Sequence, residues 1–173
     1  MDILKTYKIS FSGLQIGHHE FDFQINDQFF ESFEKSKVQQ GNLALNVGME
    51  KSETMLQLHF NFKGEVNVIC DRCLDEFLFP MEFQELLIVK FGFEAHEESE
   101  NILVIQSNDY EVVIAQYIYE YISVNLPMQL IHPDLENGES TCNQEFLKNF
   151  TIKEEDKKKD VMDPRWEALK KLK

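Results

Sequence analysis

The sequence predicts an α+β fold: a predominantly antiparallel, strongly curved β-sheet with a few packed helices and a mobile C-terminal amphipathic helix. Three observations carry that expectation. Apolar residues recur at period two through Leu43, Leu45, Val47 and Met49, through Leu56, Leu58, Phe60 and Phe62, and through Phe77, Phe79, Met81 and Phe83. That alternation marks strands with one buried face and one wet face. Fifteen phenylalanines in 173 residues supply the bulk of one core, and the length does not require two domains. A helical stripe stands out only late in the body, where Val112, Ala115, Tyr119 and Ile122 fall on one side.

Taken in order, Tyr7, Ile9 and Phe11 and then Phe21, Phe23 and Ile25 read as an opening pair of strands around the Gly13 to Gly17 turn region. Asn26 is placed to cap a short helix burying Phe29, Phe30 and Phe33. After the period-two runs, Lys63-Gly64 reads as a turn into Val66, Val68 and Cys70, which puts Cys70-Asp71-Arg72-Cys73 at a strand end or in the tight turn leaving it. The acidic stretch Glu94 to Glu100 reads as a solvated surface loop and Ile102 to Ile105 as a last short strand. A helix is expected from Glu111 to about Val124, started by Ser107, Asn108 or Asp109 and ended by Leu126-Pro127. Pro127 to Gly138 then reads as an extended connection, and Asn143 to Phe150 as a short helix.

Charge divides the chain. Residues 153–173 hold eight Lys or Arg against six Asp or Glu, a net +2, which leaves residues 1–152 with nine against twenty-five, a net −16. So acidic a body repels phosphate over its general surface and attracts basic protein. Residues 151–162 have no apolar face and read as a charged flexible linker. Beyond it, Asp163 suits an N-cap and Pro164 the first helical position. Trp166, Leu169 and Leu172 then share one side, with Arg165, Lys170 and Lys171 supplying positive charge. The division expected is therefore 1–150 as a single α+β domain, 151–162 as linker and 163–173 as a basic amphipathic helix. About three turns of helix are marginal alone, so this element orders by docking, either on its own body or on a partner.

The chain contains three cysteines, and two of them form Cys70-x-x-Cys73. A Cys-x-x-Cys offers half of a tetrahedral zinc site. His132 and Cys142 share one Pro- and Gly-punctuated segment able to return to the first pair, so Cys70, Cys73, His132 and Cys142 are the candidate zinc ligands. The competing readings are three small buried thiols, or thiol redox chemistry, for which strand-like sequence on both sides of the pair is the wrong setting. His18, His19, His59 and His96 have plainer roles in turns, strands and solvent. Three cysteines make no disulfide framework, and the first residues lack a signal pattern. The chain is expected to be soluble and cytoplasmic, without a membrane partner.

The Cys-Asp-Arg-Cys-Leu of Cys70 to Leu74, the Leu126-Pro127 helix end, the His132 to Cys142 segment and the terminal Asp163-Pro164-Arg165-Trp166-Glu167-Ala168-Leu169-Lys170-Lys171-Leu172 together resemble the YceD family of large ribosomal RNA subunit accumulation proteins. The resemblance spans nearly the whole chain. It implies a bacterial-type cytoplasmic factor in ribosome biogenesis that supports accumulation of the large-subunit (23S) rRNA, often encoded beside a small zinc-ribbon ribosomal protein. Many relatives carry a richer cysteine cluster in the segment matching Pro127 to Cys142. Here that segment holds Cys142 alone, so zinc would need His132 as substitute.

No nucleophile and base pair, phosphate-cradling glycine loop or nucleotide motif is visible, so a non-enzyme without a small-molecule substrate is expected. The expected partners are a pre-large ribosomal subunit, a basic ribosomal protein or large-subunit rRNA. Contacts are assigned to Arg72, Asp163, Pro164, Arg165, Trp166, Leu169, Lys170, Lys171 and Leu172. Arg72 has a second reading as a surface partner of Asp71 or Asp75. The alternative function is a zinc-stabilised or thiol-dependent protein, a redox or metal enzyme using the Cys-x-x-Cys pair.

Overall fold

A computed structural model describes residues 3–33, 36–38, 40–135 and 138–149. The linker at 151–162 and the terminal helix expected at 163–173 lie outside the described residues. So do the assigned contacts Asp163, Pro164, Arg165, Trp166, Leu169, Lys170, Lys171 and Leu172.

The long period-two runs build the sheet. β2 (Gly17–Ile25), β3 (Gln40–Lys51), β4 (Met55–Ile69) and β5 (Glu76–Gly92) are successive antiparallel neighbours. β7 (Ile102–Gln106) joins β5 in parallel, and β6 (His96–Ser99) pairs antiparallel with β7, giving the order β2-β3-β4-β5-β7-β6. Alternation sends Leu43, Leu45, Val47, Leu56, Leu58, Phe60, Phe62, Leu87 and Val89 to one face, all at most 2% exposed. Against that face lie a one-turn 3-10 helix (Ile3–Thr6), the ribbon of β1 (Lys8–Ser10) with β8 (Glu111–Val113), and the helices α1 (Asp27–Glu31) and α2 (Ala115–Asn125).

Aromatic packing fixes the two helices. The Tyr7 and Phe29 rings meet edge-on at 4.8 Å, and Phe29 and Phe30 at 5.5 Å. Tyr121 of α2 lies edge-on to Phe60 at 5.4 Å, while Tyr119 stacks on Phe33 at 4.1 Å. Such geometries add to the burial of large apolar rings. At the end of α2, Asn125 Nδ2 donates to Glu85 Oε1 at 2.7 Å, satisfying a carboxylate on the inward side of β5.

The predicted fold class is the observed one, and four local expectations are corrected. Lys63-Gly64 is no turn. β4 runs straight through it, pairing Gly64 with Leu43 on one side and Met81 on the other. The opening strands are not partners, because β1 pairs with β8 and β2 with β3. Glu111–Val113 is strand, so the helix starts at Ala115 with Ile114 as its N-cap; residues Ser107 to Asp109 only link β7 to β8. The acidic run contributes the exposed edge strand β6, since its backbone bonds to β7 leave every side chain in water. None of the described helices is long and apolar enough to cross a membrane.

Candidate metal centre

The site forms where β4 ends. Ile69 is the last strand residue and β5 resumes at Glu76, so Cys70 to Asp75 are the whole connection. The turn closes on itself: Leu74 N–H donates to Cys70 O and Cys70 N–H to Asp75 O, both at 2.9 Å. Leu74 adopts φ 63°, a left-handed conformation uncommon for a leucine, which makes the local sharp reversal possible. The Arg72 N–H points back at Cys70 Sγ, 3.4 Å away. Amides aimed at a sulfur suit a thiolate, whether it is free or bound to a metal.

The other half arrives from the segment after α2. Leu130 N–H donates to Asp71 Oδ2 and Asp71 N–H donates to Leu130 O, each at 2.7 Å. This clamp delivers His132, whose ring packs on Phe77 with centroids 4.5 Å apart. A bridge between Asp134 and Ser140 then folds the chain back to Cys142. α3 (Gln144–Lys148) follows, with Asn143 Oδ1 accepting from the backbone N–H groups of Glu145 and Phe146, and Asn143 Nδ2 donating to Asp75. Phe77, Ile131, Phe146 and Leu147 pack around the three buried cysteines as a satellite of the main core.

One donor atom from each of Cys70, Cys73, His132 and Cys142 lies within 4.8 Å of the other three, and the set could hold a metal ion. Cys70 Sγ is 3.8 Å from Cys142 Sγ; His132 Nδ1 is 3.4 Å from Cys73 Sγ and 3.8 Å from Cys142 Sγ. Zinc bonds to sulfur and imidazole nitrogen place tetrahedral S···S pairs about 3.8 Å and S···N pairs about 3.6 Å apart. The residues therefore fit zinc in number and chemistry, and these three pairs fit it in spacing.

Electrostatics points the same way at Cys70. Burial pushes its thiol up, but the backbone N–H groups of Cys73, Arg72 and His132, with the His132 side chain, outweigh burial and bring it from 9.0 down to about 6. Cys142 moves upward instead. Burial is the main cause, opposed by its bond with Ser140 and reinforced by the Cys70 and Cys73 sulfurs. In protein stripped of metal, folded Cys70 therefore releases its proton near pH 6 and unfolded Cys70 near pH 9. Between those values the unfolded state binds more protons. Cys70 thus contributes stability above pH 9, and that contribution is lost as pH falls through about 6. Metal-free protein should melt higher at the alkaline end of this window, with a pH slope that flattens in Cys70→Ala. An equal slope in both forms, measured by thermal unfolding, would remove the thiolate from the account.

Arg72 takes neither of the aspartate partners expected of it. Its guanidinium donates to Ser140 Oγ at 3.4 Å, because Asp71 is engaged by Leu130 and Asp75 by Asn143. The remaining histidines keep plain roles: His18 bonds Glu50 and Glu20, His19 bonds Gln15 O, His96 bonds Glu94 O, and His59 is exposed on β4. Sequence reasoning overlooked the supports: Asp71 as the clamp, Phe77 as the ring under His132, and Asn143 as the link from α3 to the turn. Only their nearness to the cysteines in the folded chain marks them.

Residues 58–173 match the family described as large ribosomal RNA subunit accumulation protein YceD. The chain belongs to the YceD family. The matched stretch includes all four residues of the cysteine and histidine cluster. The YceD family description names an RNA accumulation protein and no catalysed reaction. No curated protein and no solved structure gives a significant match.

Proposed function

We propose that this chain is a non-catalytic factor of cytoplasmic ribosome biogenesis. It supports accumulation of large-subunit 23S rRNA through an acidic body that holds a basic ribosomal protein and a basic tail that meets the pre-large subunit or its rRNA. Membership in the YceD family is the observation that carries the reading. The charge division supports the mechanism. Glu20, Asp22, Glu50, Glu65, Glu76 and Glu82 all stand exposed on the solvent face of β2 to β5, against Lys63 and Lys90 on the same face. A face of that sign attracts a cationic protein and repels bare phosphate.

The cysteine and histidine cluster is assigned zinc and a structural role. Four protein donors complete a tetrahedron, whereas catalytic zinc keeps a position open for water or substrate. Bound there, the ion would tie the β4–β5 turn to the segment carrying His132 and Cys142, two pieces joined otherwise by the Asp71 clamp, the Arg72 to Ser140 contact, Asn143 and apolar packing. A thiol or metal enzyme is the second reading, favoured by the lowered Cys70 thiol. Complete burial of Cys70 and near-complete burial of Cys73 leave neither sulfur accessible to a substrate.

Sucrose-gradient sedimentation tests the reading. Full-length protein is expected to ride with immature large subunits at low salt, weaken at moderate salt, and stay at the top of the gradient when Asp163 to Lys173 are deleted. Both forms remaining at the top would overturn particle association and point to action before particles form.

A further inference from the structure

Beside the cluster lies a groove of about 800 Å³ between the C-terminal half of α2, the segment after it and the end of β4. Phe30 and Val38 form its floor and Ile122 part of its wall, all buried. Its lip is apolar and wet: Val124 is 80% exposed, Met128 104% and Ile69 52%. Lys37 and Asp71 are the charged groups lining it. Apolar groups of that size gathered at one concave site, with so much surface left in water, mark a place for another apolar element.

We propose that residues 163–173 of this same chain fill the groove, with Trp166, Leu169 and Leu172 seated against it. Three observations select this occupant. The segment carries one large aromatic and two leucines spaced to share a side, an apolar face to set against the apolar lining of the groove. It is also tethered close by. The described body ends at Asn149, just after α3, whose Phe146 and Leu147 pack on the cysteine cluster; Asp71 of the same turn lines the groove and binds Leu130 of its wall. Residues 150–162 can span up to about 45 Å, close to the length of the 15-residue strand β4 at about 3.3 Å per residue.

Tethering makes docking intramolecular, which raises the effective concentration of the segment far above that of a free peptide. Charge favours it as well. Arg165, Lys170, Lys171 and Lys173 approach a body of net −16, while the groove itself carries one charge of each sign, Lys37 and Asp71. Their long stems let the charged heads stay in water while the apolar side is covered. Docking also supplies the contacts that a three-turn helix needs in order to form. This inference stands apart from the ribosomal reading, because it holds whether or not the tail's cations meet rRNA.

Trp166 is the chain's single tryptophan, so fluorescence excited at the long-wavelength edge, beyond the absorption of the five tyrosines, reports this segment alone. The expected result is emission shifted to the blue of a synthetic 163–173 peptide, with weaker quenching by acrylamide, both unchanged on dilution. Val124→Glu and Met128→Glu change exposed side chains and should leave the melting temperature of the body in place. Each should return emission and quenching to those of the peptide. Emission equal to the peptide's in the unaltered chain would overturn the proposal. So would a blue shift lost on dilution, which would assign the groove to a second copy, or one that survives both substitutions, which would place the tryptophan elsewhere.

Discussion

Protein purified without chelator is expected to carry one zinc ion per chain and to lose it when Cys70 or Cys142 is replaced by serine. The cluster predicts this from its spacing, since the 3.8 Å separation of the two sulfurs is the edge of a zinc-sized tetrahedron. Serine removes a soft thiolate and leaves a neutral hydroxyl, a poor zinc ligand, so affinity falls with either substitution. Structural zinc is worth many kcal/mol to small domains that fold around it. Here the main core is independent of the ion, so the loss should reach several kcal/mol without unfolding the sheet. Chelator should lower the melting temperature of the unaltered chain and leave that of Cys70→Ser unmoved. His132→Ala should weaken binding, because it deletes the nitrogen 3.4 Å from Cys73 Sγ. A metal content near zero in the unaltered protein, with a melting temperature indifferent to chelator, would reduce the cluster to three packed thiols and a histidine.

The second large effect is expected at Gly64, far from the cluster. Its φ is 156°, and a Cβ placed there would lie 2.2 Å from Asn42 O and 2.8 Å from Leu43 Cα. Both obstacles are backbone of the neighbouring strand, which cannot rotate away as a side chain would. Gly64→Ala should therefore force β3 and β4 apart in the middle of the sheet, where Gly64 pairs with Leu43 and Met81. Backbone strain and overpacking of this kind cost about 3 kcal/mol or more together, a fall in melting temperature on the order of 10 °C for a chain of this size. Gly13→Ala is the control, since nothing lies within 4 Å of a Cβ there. Equal melting temperatures for the two variants would show that the strands yield at Gly64 more easily than their backbones suggest.

Gly64 also shows where reading the sequence goes astray. Lys63-Gly64 between two apolar runs has the composition of a turn, yet both strands flanking β4 continue past it, and the glycine serves close approach of two backbones. Glycine meets either need, and composition alone does not separate them. The helix boundary at Ala115 was hidden for a related reason. Val112 fits the helical stripe, but pairing with Ile9 holds it in β8. A long-range partner overrides local periodicity in such cases.

The cluster divides similarly. Cys-x-x-Cys at a strand end was legible because its chemistry is local. The choice of His132 and Cys142 followed from residue type and a shared segment, while the clamp through Asp71, the Phe77 ring and the Asn143 link had no signature in the chain. They act only after residues about 60 apart are brought together.

By itself, the sequence determined the α+β class, the buried face of β3, of β4 and of the first half of β5, the acidic body with its basic tail, and the four residues able to bind a metal. These follow from period, charge and donor chemistry, which are properties of residues and their near neighbours. Tertiary structure alone decided which strands pair, that β4 runs through Gly64, and that a groove opens beside the cluster. Those outcomes depend on which distant segments pack together, and packing is settled by the whole chain at once.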